Sequence, residues 1–139
     1  VTSAYLQGHL APVPDEIDAV DLPVTGALPD ELNGRYFRNG PNPLPGQDPG
    51  HWFAGHGMLH GVRLRNGRAE WYRNRWVRTR KLEGAGHFTK EGGVDRTAVS
   101  ANTHVIHHND KILALVENGF PYEVTPELDT IGRVTSTAS

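Results

Sequence analysis

The sequence has 139 residues, 37% of them hydrophobic, enough apolar material for one modest domain. Its 16 glycines and 10 prolines favour tight turns over long helices, and 14 Lys plus Arg against 16 Asp plus Glu leave a net charge of −2, too small to imply a polyanion partner from the total. With no cysteine, disulfides, zinc knuckles and thiol nucleophiles are excluded, and the longest apolar run, Ile112 to Val116, is far short of the roughly 20 residues that span a bilayer.

The chain opens on Val1 with no basic-then-apolar leader pattern, and residues 1–33 are acidic and proline-interrupted, without a single Lys or Arg. That composition predicts an extended arm without helix. Gly34 to Asn39 reads as a short strand, and Gly40-Pro41-Asn42-Pro43-Leu44-Pro45-Gly46 as a rigid loop. Next comes a hairpin from Met58 to Thr79, turned by Asn66-Gly67, a pair that tolerates the positive φ of a type I′ turn. Glu83 to Gly93 is glycine-spaced and polar, a connecting loop. A second hairpin is predicted from Val99 to Val116, bent at His108-Asn109-Asp110, with Ile112 to Val116 as a returning strand covered on both faces. Asn118-Gly119-Phe120-Pro121 then turns the chain, and Thr135 to Ser139 shows no closing element. These elements predict an all-β fold, and the pattern alone leaves sandwich, barrel and propeller open.

Chemistry has three candidate locations. The first is the histidines, grouped as His51, His56 and His60 and as His104, His107 and His108. On a strand, His104 and His108 share a face but stand about 13 Å apart, too far to chelate one ion, and His107 faces the other way. Solvated or hydrogen-bonded imidazoles are the preferred reading. The second is the basic run of Arg63, Arg65, Arg68, Arg73, Arg75, Arg78, Arg80 and Lys81, interleaved with Trp71, Tyr72 and Trp76, the combination that single-stranded nucleic-acid binders use. The competing reading lays the acidic arm across this hairpin and neutralises it. The third is Glu117, directly after the predicted buried strand, where a carboxylate needs a cation or an N–H donor. One such donor is the outer nitrogen of a metal-bound histidine, and the competing reading is a solvated or salt-bridged strand end.

The run from Gly26 through Leu28-Pro29-Asp30-Glu31-Leu32-Asn33-Gly34-Arg35-Tyr36-Phe37-Arg38-Asn39-Gly40-Pro41-Asn42-Pro43 resembles the amino-terminal signature of the carotenoid cleavage oxygenases. The resemblance continues through His51-Trp52-Phe53-Ala54-Gly55-His56-Gly57-Met58-Leu59-His60, Ala101-Asn102-Thr103-His104-Val105, Leu113 to Tyr122 and Leu128 to Gly132, in the family's order. It implies a seven-bladed β-propeller with Fe(II) on its axis, held by four histidines that glutamates orient. The implied reaction uses O₂ to split a conjugated carbon–carbon double bond into two carbonyl products. On this resemblance residues 1–33 are the arm and 34–139 the first, roughly two, blades.

Carried over position by position, Glu117 matches the first of those glutamates, and Thr103 the small residue whose methyl end crowds an open iron position. The family's first iron-binding histidine follows the region matching Ile131-Gly132. All four ligands are therefore expected beyond Ser139, none of the eight histidines here is a ligand, and this stretch alone is expected to hold no iron and be inactive. His56 stands where the family has an acid and His104 where it has asparagine, which raises the option of a degenerate member and puts hydrogen bonding around His56 in question. Val116 occupies the position where stilbene-cleaving relatives carry lysine, so the implied substrate is an apolar polyene, a carotenoid or apocarotenoid. Its extraction implies a cytoplasmic protein with peripheral membrane contact, no nucleic-acid partner and an oligomeric state left open. A β-rich single-stranded nucleic-acid-binding module is the alternative.

Overall fold

The computed structural model describes residues 3–86 and 88–134, and the stretch from Thr135 lies outside the described residues. Among the described residues, eight strands build two antiparallel four-stranded sheets: β1 (Asp18–Leu22), β2 (Gly34–Pro41), β3 (Gly57–Arg65), β4 (Arg68–Trp76), β5 (His104–His108), β6 (Lys111–Leu115), β7 (Tyr122–Val124) and β8 (Thr130–Arg133). The first sheet runs β1-β4-β3-β2 and the second β5-β6-β7-β8, so apart from β1 each is a meander of neighbouring strands. Both anticipated hairpins are present. Asn66 and Gly67 take φ of 52° and 71°, and Asn109 and Asp110 take 50° and 60°, the left-handed pairs that turn a chain in two residues without splaying its strands.

Three strands were not anticipated. β7 and β8 have three and four residues, too short for alternation to register. β1 lies within the acidic arm, which pairs with β4 from Asp18 opposite Arg73 to Leu22 opposite Ala69. Single 3₁₀ turns at Ala4–Leu6 and Gly8–Leu10 also replace extended chain.

Two buried asparagines hold the arm in place. Asn74 is fully buried, accepts from the Ile17 N–H and donates to the Asp15 carbonyl. Asn42 repeats the arrangement, accepting from the Val13 N–H and donating to the Val13 carbonyl. Each amide offers its donor and its acceptor to a backbone that would otherwise be unpaired against the sheet. Replacing Asn74 by alanine in the full-length protein strands both backbone groups, with an expected stability loss of about 2–3 kcal/mol in urea denaturation. An unchanged midpoint would show that the arm is held by other contacts.

The two sheets meet with β2 beside β5, over a core of Leu59, Val77, Val99, Ala114, Tyr122, Val124 and Leu128. Gly57 and Gly61 set how closely they approach. A Cβ at Gly61 would lie 3.0 Å from the Phe37 ring and 3.3 Å from Leu128, and one at Gly57 would lie 2.3 Å from the Ala101 carbonyl oxygen. Instead the Gly57 N–H donates to the Ser100 carbonyl at 2.8 Å, and the Gly57 carbonyl accepts from Val77 at 2.9 Å.

This seam corrects two expectations about the second hairpin. Pairing begins at His104 and not at Val99, because the carbonyls of Ser100 and Ala101 serve Gly57 and Asn39, and Ala101 takes a left-handed φ of 49°. The apolar run is not covered on both faces either: Ala114 is buried, whereas Ile112, Leu113, Leu115 and Val116 are half-buried. Ile112 and Val116 pack on the shared core, and Leu113 and Leu115 alternate to the opposite face.

Candidate functional site

The sequence-predicted pair comes together. Thr103 lies just before β5, with its N–H on the Leu115 carbonyl at 3.0 Å, extending the β5–β6 ladder by one bond. Glu117 lies just beyond β6, and the Thr103 hydroxyl donates to its Oε2 at 3.0 Å. Both residues are exposed, on the wall of a cavity of about 740 Å³ between the two sheets. Of the two readings of Glu117, the structure matches the solvated strand end and not the buried carboxylate. β6 stops at Leu115, so the side chain reaches the cavity rim, and its partner there is a hydroxyl and not a cation or an N–H.

Two asparagines that sequence reasoning passed over position this pair. Asn102 is buried and donates through Nδ2 to the carbonyls of Phe53 at 2.8 Å and Gly55 at 2.7 Å, which ties the residue before Thr103 to the loop leading into β3. Asn39 on β2 donates to the carbonyls of Ala101 and His104, on either side of Thr103. Their lack of periodicity concealed them: each is a lone polar residue whose value comes from a partner tens of positions away.

The histidines do not converge. His104, His107 and His108 are exposed on β5 and its turn, and His51 accepts from the Phe53 N–H. His60 Nδ1 and the Tyr72 hydroxyl are hydrogen-bonded at 2.7 Å. Among the described residues no three His, Asp or Glu side chains are grouped to hold a metal ion. His56 is the exception in environment. It is half-buried, its Nδ1 is buried without a hydrogen-bond partner, and burial first and the Lys81 charge second push its pKa below the usual histidine value. The local hydrogen bonding put in question by an imidazole at this position is indeed incomplete.

The basic hairpin is largely neutralised. Asp18 bridges Arg73 at 2.7 Å and Arg75 at 2.8 Å, Glu16 meets Arg78 at 2.7 Å, and Asp21 meets Arg68 at 3.0 Å. Arg65 pairs with Glu70 and Arg80 with Asp95. The hydrogen bond from Arg73, assisted by Arg75, holds the Asp18 carboxyl below the usual carboxylate range despite some desolvation. The acidic arm therefore lies across this hairpin, and the guanidinium groups that would contact phosphates are engaged with carboxylates.

The family model described as retinal pigment epithelial membrane protein (RPE65) matches residues 10–138. A carotenoid cleavage oxygenase of Mycobacterium tuberculosis is 53% identical over 135 residues, covering 92% of this chain and 27% of that protein. Among solved structures, a lignostilbene dioxygenase of Pseudomonas brassicacearum superposes with a TM-score of 0.77 at 29% identity, over 96% of this chain and 31% of that one. A variant of the apocarotenoid oxygenase of Synechocystis gives 0.72 at 26% identity, over 88% and 30%. The chain spans under a third of the length of each of these relatives.

Proposed function

The chain belongs to the RPE65 and carotenoid cleavage oxygenase family, its two sheets being blades of that family's β-propeller, and from this premise we propose that it contributes the Thr103–Glu117 wall of an iron-dependent oxygenase site. The observation that carries the reading is the 3.0 Å hydrogen bond between these two side chains at the rim of a cavity. Fe(II), held by four histidines supplied from outside this chain, would activate O₂ for cleavage of a conjugated double bond.

The donor set fits an indirect role toward such a metal. Among the described residues Oε2 of Glu117 takes the Thr103 hydroxyl and Oε1 takes no donor, so the carboxylate offers one oxygen to an imidazole N–H. Such a contact fixes the ring's orientation and raises its basicity. The Thr103 hydroxyl steadies the carboxylate through Oε2, and the threonine methyl group would occupy space beside an open metal position. Asn102 and Asn39 keep Thr103 from drifting, because Asn39 grips the carbonyls on either side of it and Asn102, its chain neighbour, is tied to the carbonyls of Phe53 and Gly55. On its own the chain supplies a wall without ligands and is inactive.

The substrate is an apolar polyene of the carotenoid or apocarotenoid class, a reading that Val116, beside Glu117 on the cavity wall, supports. In this account the substrate is drawn from a membrane surface by a cytoplasmic protein in peripheral contact; among the described residues no helix is long and apolar enough to cross a membrane. The test is a paired assay of the full-length protein with Fe(II) and O₂ on an apocarotenoid and a hydroxystilbene. The expected result is two carbonyl fragments, with the apocarotenoid preferred by about tenfold or more in kcat/KM. Equal or reversed preference would remove the substrate reading, and no cleavage of either would remove the reaction.

A further inference from the structure

The cavity wall that carries Thr103 and Glu117 also carries a lysine for which the proposed reaction has no use. Lys81 follows β4 by five residues, is half-buried, and donates from Nζ to the Ser100 hydroxyl at 2.9 Å. Six of the eight cations between Arg63 and Lys81 have a carboxylate partner, but among the described residues none lies within ion-pair distance of Lys81. Its titratable neighbour, His56, is an imidazole that burial and the Lys81 charge both hold toward the neutral form, and it supplies no counter-charge. The surrounding wall is mainly apolar, with Phe53, Val99 and Val116 among its members.

An ammonium placed this way is half shielded from water and has no carboxylate within ion-pair distance among the described residues, both of which lower the cost of losing its proton. Burial accordingly holds the Lys81 pKa below the usual lysine value. The neutral fraction of such an amine is a nucleophile, and the group it attacks most readily without further activation is an aldehyde carbon.

We propose that Lys81 captures an apolar aldehyde in this cavity as an imine. The lone pair on Nζ forms a carbon–nitrogen bond as the carbonyl π pair moves to oxygen, which takes up a proton. The two hydrogens lost from nitrogen balance the two gained by oxygen, and that oxygen leaves as water when the carbon–nitrogen double bond forms. No oxidant or reductant is consumed. Ser100, already accepting from Nζ, is placed to pass a proton between nitrogen and the departing oxygen. The inference deepens the proposed function, resting on it only for the source of the aldehyde: cleavage of a polyene generates such a product beside the amine, and the imine would delay its release.

Lys90 and Lys111, the other two lysines, are exposed and serve as internal comparators. The full-length protein is incubated with trans-cinnamaldehyde, reduced with sodium cyanoborohydride and mapped by peptide mass spectrometry. The expected outcome is a secondary-amine adduct at Lys81 severalfold more abundant than at either comparator, since the apolar cavity concentrates the aldehyde beside this amine and a lowered pKa enlarges its neutral fraction. Lys81→Arg, which keeps a cation and removes the reactive amine, abolishes that adduct and leaves the other two. Equal labelling of all three lysines, or none at Lys81, would overturn the inference; because the comparison is internal to one wild-type sample, it holds whether or not the variant folds. A parallel cleavage assay separates the two claims. Cleavage without a Lys81 adduct sinks the aldehyde site alone, and a Lys81 adduct without cleavage sinks the reaction alone.

Discussion

Glu117→Gln in the full-length protein is expected to lower iron retention and turnover by about 10- to 100-fold, the range found when a carboxylate that orients a metal-bound histidine is replaced. The substitution keeps the shape and an acceptor oxygen for the Thr103 hydroxyl, so the loss isolates the charge. Glu117 is exposed in the described chain and touches Thr103 alone among side-chain hydrogen-bond partners, so the thermal midpoint of the metal-free protein should not move. That combination separates a positioning role from a structural one, because a structural residue would shift both readings together. Thr103→Ser and Thr103→Val then divide the threonine: the first keeps the hydroxyl that steadies Glu117, the second keeps the methyl group. If the hydroxyl matters through Glu117, only the valine variant should share the iron-retention defect.

Gly57→Ala is expected to cost about 3 kcal/mol, at the upper end of overpacking penalties. The added Cβ would stand 2.3 Å from the Ala101 carbonyl oxygen and 2.7 Å from that of Ser100. Those atoms are backbone, so relief requires the two sheets to separate. The segment pushed away leads directly into Asn102 and Thr103, and the same substitution should therefore loosen the Thr103–Glu117 contact. Gly34→Ala is the matched control, since a Cβ there meets nothing within 4 Å and the position is also on a strand of the first sheet. Urea denaturation of the two full-length variants should separate them clearly. Equal midpoints would mean that the seam yields without penalty.

Much of this organisation was legible in the residues. The hairpins announce themselves through Asn66-Gly67 and Asn109-Asp110, because positive φ at adjacent positions restricts residue choice more than strands do. The neutralisation of the arginine-rich hairpin was equally visible, since an arm with acids and no cations precedes it. Less visible was that the arm is itself a strand. Its prolines and acids argue against pairing, and the bonds that hold it come from Asn42 and Asn74, more than 20 residues away.

The site divides in the same way. Thr103 and Glu117 were singled out by resemblance, and their contact follows from the β5–β6 register that brings His104 opposite Leu115. The exposure of Glu117 is the solvated strand-end reading its position allowed, because a run of apolar residues specifies what can be covered and not what covers it. Lys81 was hidden in a basic run whose other members are mostly ion-paired, and only the three-dimensional arrangement distinguishes it from them.

The decisive observation is a crystal structure of the iron-loaded, full-length protein, read at the Glu117 carboxylate. The account predicts that one carboxylate oxygen accepts a hydrogen bond from the outer nitrogen of an iron-bound imidazole while the other keeps the Thr103 hydroxyl. A Glu117 side chain surrounded by water, with every iron ligand oriented by other groups, would contradict it.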